Sequence, residues 1–124
     1  MAPGDSIPPD RVIYRGVPWS RIDRKSKQPK DTAFLLRPAS EHFGAEDSLS
    51  FGLTPAAALN GLKGVSQTCQ LKVSDILGLG RGLTVLEGDA PEYVQVSGMP
   101  KMSDDEGLAL AIAKDLRGKA SACS

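Results

Sequence analysis

Arg15 is the residue whose surroundings most invite chemistry: it stands between Tyr14 and Gly16 at the end of a β-branched, aromatic run. A guanidinium in that place can hold a pyrophosphate or a carboxylate through paired hydrogen bonds, and the glycine lets the backbone come close to the ligand. An arginine that merely ends a strand at the surface would read the same way. Ser48 and Ser50 fall on one face of a short strand, because side chains alternate with a period of two. They are either two hydroxyl donors on a pocket wall or the polar face of a half-buried strand. Glu92 follows Asp89, Ala90 and Pro91 at the entrance of a later strand. A carboxylate there either steadies a developing positive charge or is simply solvated.

Other chemistry is excluded by count. Cys69 and Cys123 are the only thiols and His42 the only imidazole, so an all-Cys/His tetrahedral zinc site cannot be completed and no metal is expected. His42, between Glu41 and Phe43 in a loop, has no second imidazole to work with. The first five residues carry neither the basic nor the apolar stretch of a secretory signal, which points to the cytoplasm. A Cys69–Cys123 disulfide is feasible in principle, but in that compartment both thiols are expected reduced, with Cys69 a small buried hydrophobe. Gly78-Leu79-Gly80-Arg81-Gly82 is a glycine-rich turn, since Leu83 stands where a dinucleotide fingerprint needs its third glycine and no Gly-Lys-Ser/Thr follows. Asp104, Asp105 and Glu106 crowd the start of a helix, where the helix dipole favours negative charge without any metal.

The 124 residues suffice for one domain, and 40% apolar with 24% charged residues suits a folded chain. The longest apolar run, Leu108 to Ala113, is six residues, against the ~20 of a membrane-spanning helix, so no membrane contact is expected. Fifteen cations balance fifteen anions, but unevenly: residues 1–40 hold eight basic and four acidic side chains, residues 41–124 seven and eleven. The positive excess gathers in Arg21, Arg24, Lys25, Lys27 and Lys30, within a long polar connection from Gly16 to Asp31. Compact domains rarely carry such a connection without a use for it. This loop is either plain solvated surface or a contact for an anionic partner. A protein partner is the expected one. Nucleic acid is a second class open to the same cations, although Trp19 is the single aromatic available to stack on a base.

The elements that must position these residues are short. Residues 1–10 read as a flexible tail, 11–118 as one domain and 119–124 as a second tail. Strands are predicted over 11–16, 32–37, 48–52, 65–73, 83–86 and 93–97 from β-branched and aromatic content bounded by Gly and Pro. Thr54-Pro55 opens a short helix, Ser74-Asp75 a helical turn, and Ser103 with Glu106 three residues later a capping box. In that last helix Leu108, Ile112 and Leu116 are expected to face the core, with Ala109 and Ala113 beside them and a stop at Arg117-Gly118. The sum is an α+β fold: a small mixed or mostly antiparallel sheet of five or six strands with two or three helices.

Residues 12–16, the Ala33-Phe34-Leu35-Leu36-Arg37-Pro38 block, Ser48-Leu49-Ser50-Phe51 and Val94 to Pro100 before an Ala-rich helix carry a resemblance. Together they resemble a group of small uncharacterised bacterial proteins, well represented in cyanobacteria. That group implies no activity, and the histidine many members place before the last strand is replaced here by Pro91-Glu92-Tyr93. A fainter resemblance is to ADP-ribosyltransferases, through Tyr14-Arg15-Gly16, a Ser-x-Ser strand and a later glutamate. It implies NAD as cofactor, held by Arg15 and Ser48, with Ser50 and Glu92 catalytic and Glu92 steadying an oxocarbenium-like transition state. The chain departs from that pattern, lacking Ser-Thr-Ser and a Glu or Gln two residues before Glu92. The leading expectation is therefore an accessory or regulatory binding module without a cofactor, its partner met through Arg21–Lys30. The NAD-consuming enzyme is the alternative.

Overall fold

A computed structural model of the chain describes residues 5–37, 46–60, 62 and 66–124. Five strands, β1 (Val12–Pro18), β2 (Leu49–Gly52), β3 (Ser66–Lys72), β4 (Thr84–Glu87) and β5 (Tyr93–Ser97), form one sheet. Their order is β3-β1-β2-β5-β4, and every neighbouring pair is antiparallel. With α1 (Pro55–Leu59), α2 (Val73–Leu77) and α3 (Glu106–Lys119), the protein is a small α+β fold. No helix among the described residues is long and apolar enough to cross a membrane.

One face of the sheet is apolar by alternation. Ile13 and Val17 of β1, Leu49 and Phe51 of β2, Leu71 of β3, Val85 of β4 and Val94 and Val96 of β5 are all buried. They share one apolar cluster with Ile112, Ala113 and Leu116, which with the buried Ala109 recur at helical spacing along α3. The expected apolar stripe was one residue out of phase at its start: Ala109 faces inward and Leu108 is exposed. The helix also begins later than the Ser103 box suggests. Asp105 is its N-cap and accepts the Leu108 N–H at 3.0 Å, so the acidic cluster does cap the helix, with a different member in the cap.

On the opposite face α1 lies against glycines. A Cβ on Gly16 would sit 2.1 Å from the Ala58 carbonyl oxygen, and one on Gly52 would sit 2.6 Å from the Ala58 nitrogen. Gly16 therefore does not end the first strand; it lets a helix backbone rest on it, and β1 continues to Pro18. Arg15 consequently lies inside the strand, opposite Cys69. The expected strand over 32–37 is also corrected. Asp31–Phe34 is a 3-10 turn that buries Ala33 and Phe34 beside α3, a case in which a short apolar run cannot reveal its own period.

Three further expectations change. Cys69 and Cys123 form a disulfide, their Cα atoms 4.2 Å apart, where two reduced thiols were expected. The end of the chain is not free of the domain: Ser121 and Ser124 exchange backbone hydrogen bonds with Gln70 and Thr68 of β3. The described start of the chain is tied down too. Ile7 donates to Val85 and Glu87 donates to Asp5 along β4, while Pro9 and Arg11 accept from Ser74 and Val73 at the start of α2. Polar composition suggested tails, but unpaired strand edges and orphan helix N–H groups need partners, and the termini supply them.

Candidate functional site

The basic loop is a built hairpin. After a 3-10 turn over Trp19–Arg21 the chain doubles back, so that Ile22 and Pro29 pair antiparallel. Asp23 N–H donates to the Gln28 carbonyl and Lys30 N–H to the Arg21 carbonyl, both at 2.8 Å. The tip folds round Asp23, whose Oδ1 accepts the N–H groups of Lys25 at 2.8 Å and Ser26 at 2.9 Å, and Lys27 follows at φ 61°. The Ser26 and Lys25 N–H groups, with a contribution from the positive charge of Lys30, hold the Asp23 carboxyl below the usual carboxylate range.

Two side chains from distant parts of the sequence pin this hairpin to the domain. Gln67 of β3 donates from Nε2 to the Lys27 carbonyl at 2.6 Å, and Arg117 of α3 donates from Nε to the Pro29 carbonyl at 2.8 Å. Arg21, Arg24, Lys25, Lys27 and Lys30 are exposed, and none of the five is in an ion pair among the described residues. Trp19 is 50% exposed, and the Arg24 guanidinium lies 4.8 Å from its ring centroid. Two shallow concavities, of about 530 and 610 Å³, share Trp19, Ile22, Asp23 and Arg24; Lys27 and Gln67 extend one, Lys25 and Lys30 the other. The hairpin thus presents a half-exposed indole among cations that form no direct ion pair with any described carboxylate.

A third concavity, of about 490 Å³, opens beside β1 and is lined by Arg15, Arg21, Arg37, Glu46, Thr32 and Ser50 among others. Arg15 serves structure here. Its Nε donates to the Ala33 carbonyl at 3.0 Å and one terminal nitrogen donates to the Ser50 carbonyl at 2.7 Å, while the Phe51 ring centroid is 5.8 Å away. Burial pulls the guanidinium pKa down and the negative charge of Glu46 pushes it back up. Arg15 and Ser50 are therefore brought together, though through the serine backbone and not its hydroxyl. Ser48 and Glu92 do not line this cavity. Glu92 occupies a left-handed turn (φ 67°) and its carbonyl accepts from Leu53 N–H at 2.8 Å, a linking role before β5.

His42 lies outside the described residues. Among the described residues no group of three His, Cys, Asp or Glu side chains could hold a metal ion. Sequence reasoning weighed Trp19 only as an aromatic for stacking on a base, and it missed Gln67 and Arg117, which anchor the basic hairpin. The half-exposed indole could have been suspected from its place beside the cations. The anchors could not, because they lie 40 and 88 residues from the backbone atoms they hold. Comparisons with protein-family models, with curated proteins and with solved structures find no match for this chain.

Proposed function

We propose that this protein is a small accessory or regulatory binding module whose hairpin, Arg21 to Lys30 with Trp19, engages an acidic surface of a partner protein. The observation that carries the reading is the set of five exposed cations that form no ion pair among the described residues, around a 50% exposed tryptophan on a hairpin fixed from two sides. Unpaired cations attract an anionic surface, and a rigid aromatic among them supplies contact area at low ordering cost. A protein is favoured over single-stranded nucleic acid because one aromatic offers no succession of stacking platforms.

Trp19 is the only tryptophan, so its emission reports binding directly. Titration with a glutamate-rich peptide carrying one aromatic residue should shift that emission saturably. Arg24→Glu with Lys25→Glu should weaken the affinity at least tenfold, and added salt should weaken it as well. Tighter binding of a single-stranded oligonucleotide than of the peptide would transfer the reading to nucleic acid, and no binding of either would end it. The cytoplasmic location belongs to this proposal; thiol trapping in intact cells tests it, since a cytoplasmic chain should carry both cysteines reduced.

The NAD-consuming alternative draws support from one observation, that Arg15 and Ser50 share a cavity. Its third member, Glu92, is outside that cavity. Release of nicotinamide from NAD by the purified protein, abolished by Glu92→Gln, would put it first.

A further inference from the structure

The two ends of the sheet are covered by the two ends of the chain, and only one cover is covalent. Along β3, Gln70 and Ser121 exchange hydrogen bonds of 2.8 and 2.9 Å, and Thr68 and Ser124 exchange bonds of 3.0 and 3.2 Å. The spacing is uneven: the terminal segment uses three residues to pass two of β3. The extra residue leaves a bulge, with Ala122 in the left-handed region at φ 49°. A non-glycine residue there is strained, and Ser121, Ala122 and Ser124 are all exposed. No large apolar side chain anchors the segment; Ala120 and Cys123 alone pack against the core. What holds it is the Cys69–Cys123 bond.

The edge underneath is unguarded. Ser66-Gln67-Thr68-Cys69-Gln70-Leu71 carries neither charge nor proline, and Lys72 is the only charge in the seven-residue strand. Natural sheet edges avoid pairing with other chains by carrying charges, prolines or bulges, or by being covered. β3 has only the cover. Thr68 and Gln70 are polar and uncharged, so two antiparallel copies of this edge would meet without repulsion. The chain as a whole has fifteen cations and fifteen anions, so no net charge keeps copies apart.

We propose that the Cys69–Cys123 disulfide is a reductant-operated clasp, and that opening it uncovers β3 as an interface for a second copy of this chain. A dithiol reductant supplies a thiolate that attacks Sγ of Cys123, the less buried of the two sulfurs. The protein disulfide breaks and Cys69 leaves as a thiolate that takes up a proton. The reductant's second thiol then attacks the mixed disulfide and expels Cys123, which is protonated in turn. Two electrons pass from the dithiol, which ends as its own disulfide, to the protein, which ends with two thiols. The freed segment lifts from Thr68 and Gln70, and their outward N–H and C=O groups pair with those of a second β3 about a two-fold axis.

The test uses the full chain, oxidised and then reduced with dithiothreitol, with mass read by light scattering across a concentration series. The oxidised chain should remain at 13.1 kDa and the reduced chain should approach twice that mass as concentration rises. Cys123→Ser, which leaves the buried Cys69 in place, should dimerise without reductant. Gln70→Lys added to it should restore the monomer by setting like charges across the pair. Hydrogen exchange supplies the second reading. In dilute reduced protein Thr68 and Gln70 should lose protection while Val94 and Val96 of β5 keep theirs. A reduced chain that stays monomeric at every concentration overturns the proposal, as does a dimer that survives Gln70→Lys. Loss of protection throughout β5 also overturns it, since the disulfide would then hold the whole fold and not one segment.

Discussion

The two outer strands of the sheet solve one physical problem with different materials. β4 is four residues long and is covered by the Asp5–Ile7 segment, which is held by Ile7: its side chain is 3% exposed and belongs to the central apolar cluster. β3 is seven residues long and its cover is held by a sulfur–sulfur bond, with exposed residues on either side of Cys123. An apolar plug holds whatever the redox state of the solution. A disulfide holds only while it is oxidised. The lesson is that equal backbone pairing does not mean equal dependence on conditions; the anchor decides that.

The comparison is broken most forcefully at Ile7. Ile7→Ala should lower unfolding free energy by about 2–5 kcal/mol, equally in oxidised and reduced protein, as measured by urea denaturation. A loss confined to one redox state would mean that the two edges are coupled. Reduction, or Cys123→Ser, should lower it by about 2–4 kcal/mol, because the cross-link spans 54 residues and restrains the unfolded chain. The two losses should add, since the segments cover opposite ends of the sheet; a marked departure from additivity would again mean coupling.

Smaller effects sharpen the contrast. Arg81, just before β4, meets Asp115 of α3 at 3.0 Å with both side chains about one-third exposed (34% and 36%). Arg81→Ala should cost only about 0.2–1 kcal/mol, and the difference should vanish in high salt. The last effect is on the β3 side alone, where Gln67 holds the basic hairpin. Hydrogen bonds from the Ser26 and Lys25 N–H groups lower the Asp23 carboxyl pKa in the folded chain. Their stabilisation is therefore complete above the ordinary carboxylate pKa and is lost as pH falls through the lowered folded value. Trp19 emission should follow that loosening on acidification, and Asp23→Asn should remove the pH dependence. Hydrogen exchange along β4 should show no matching transition over the same pH range.

Local patterns settled much of this molecule. Tyr93–Ser97 alternates and β5 has those bounds, Thr54-Pro55 starts α1, and the spacing of Ala109, Ile112, Ala113 and Leu116 makes one face of α3 apolar. These are short-range consequences of alternation, capping and helical period, written in neighbouring residues, and the cations at 21–30 were legible in the same way. Tertiary structure decided the rest. Phe34 belongs to a turn because α3 and the sheet enclose it, and Gly16 lies within a strand because Ala58 rests on it. Glu92 stays away from Arg15 because β2 and β5 pair in the register that sets Gly52 beside Tyr93. Cys69 finds Cys123 because β3 is an edge strand and the end of α3 delivers the chain to it. Each of these depends on residues far apart in the chain meeting in space, and no local period records which of them will meet.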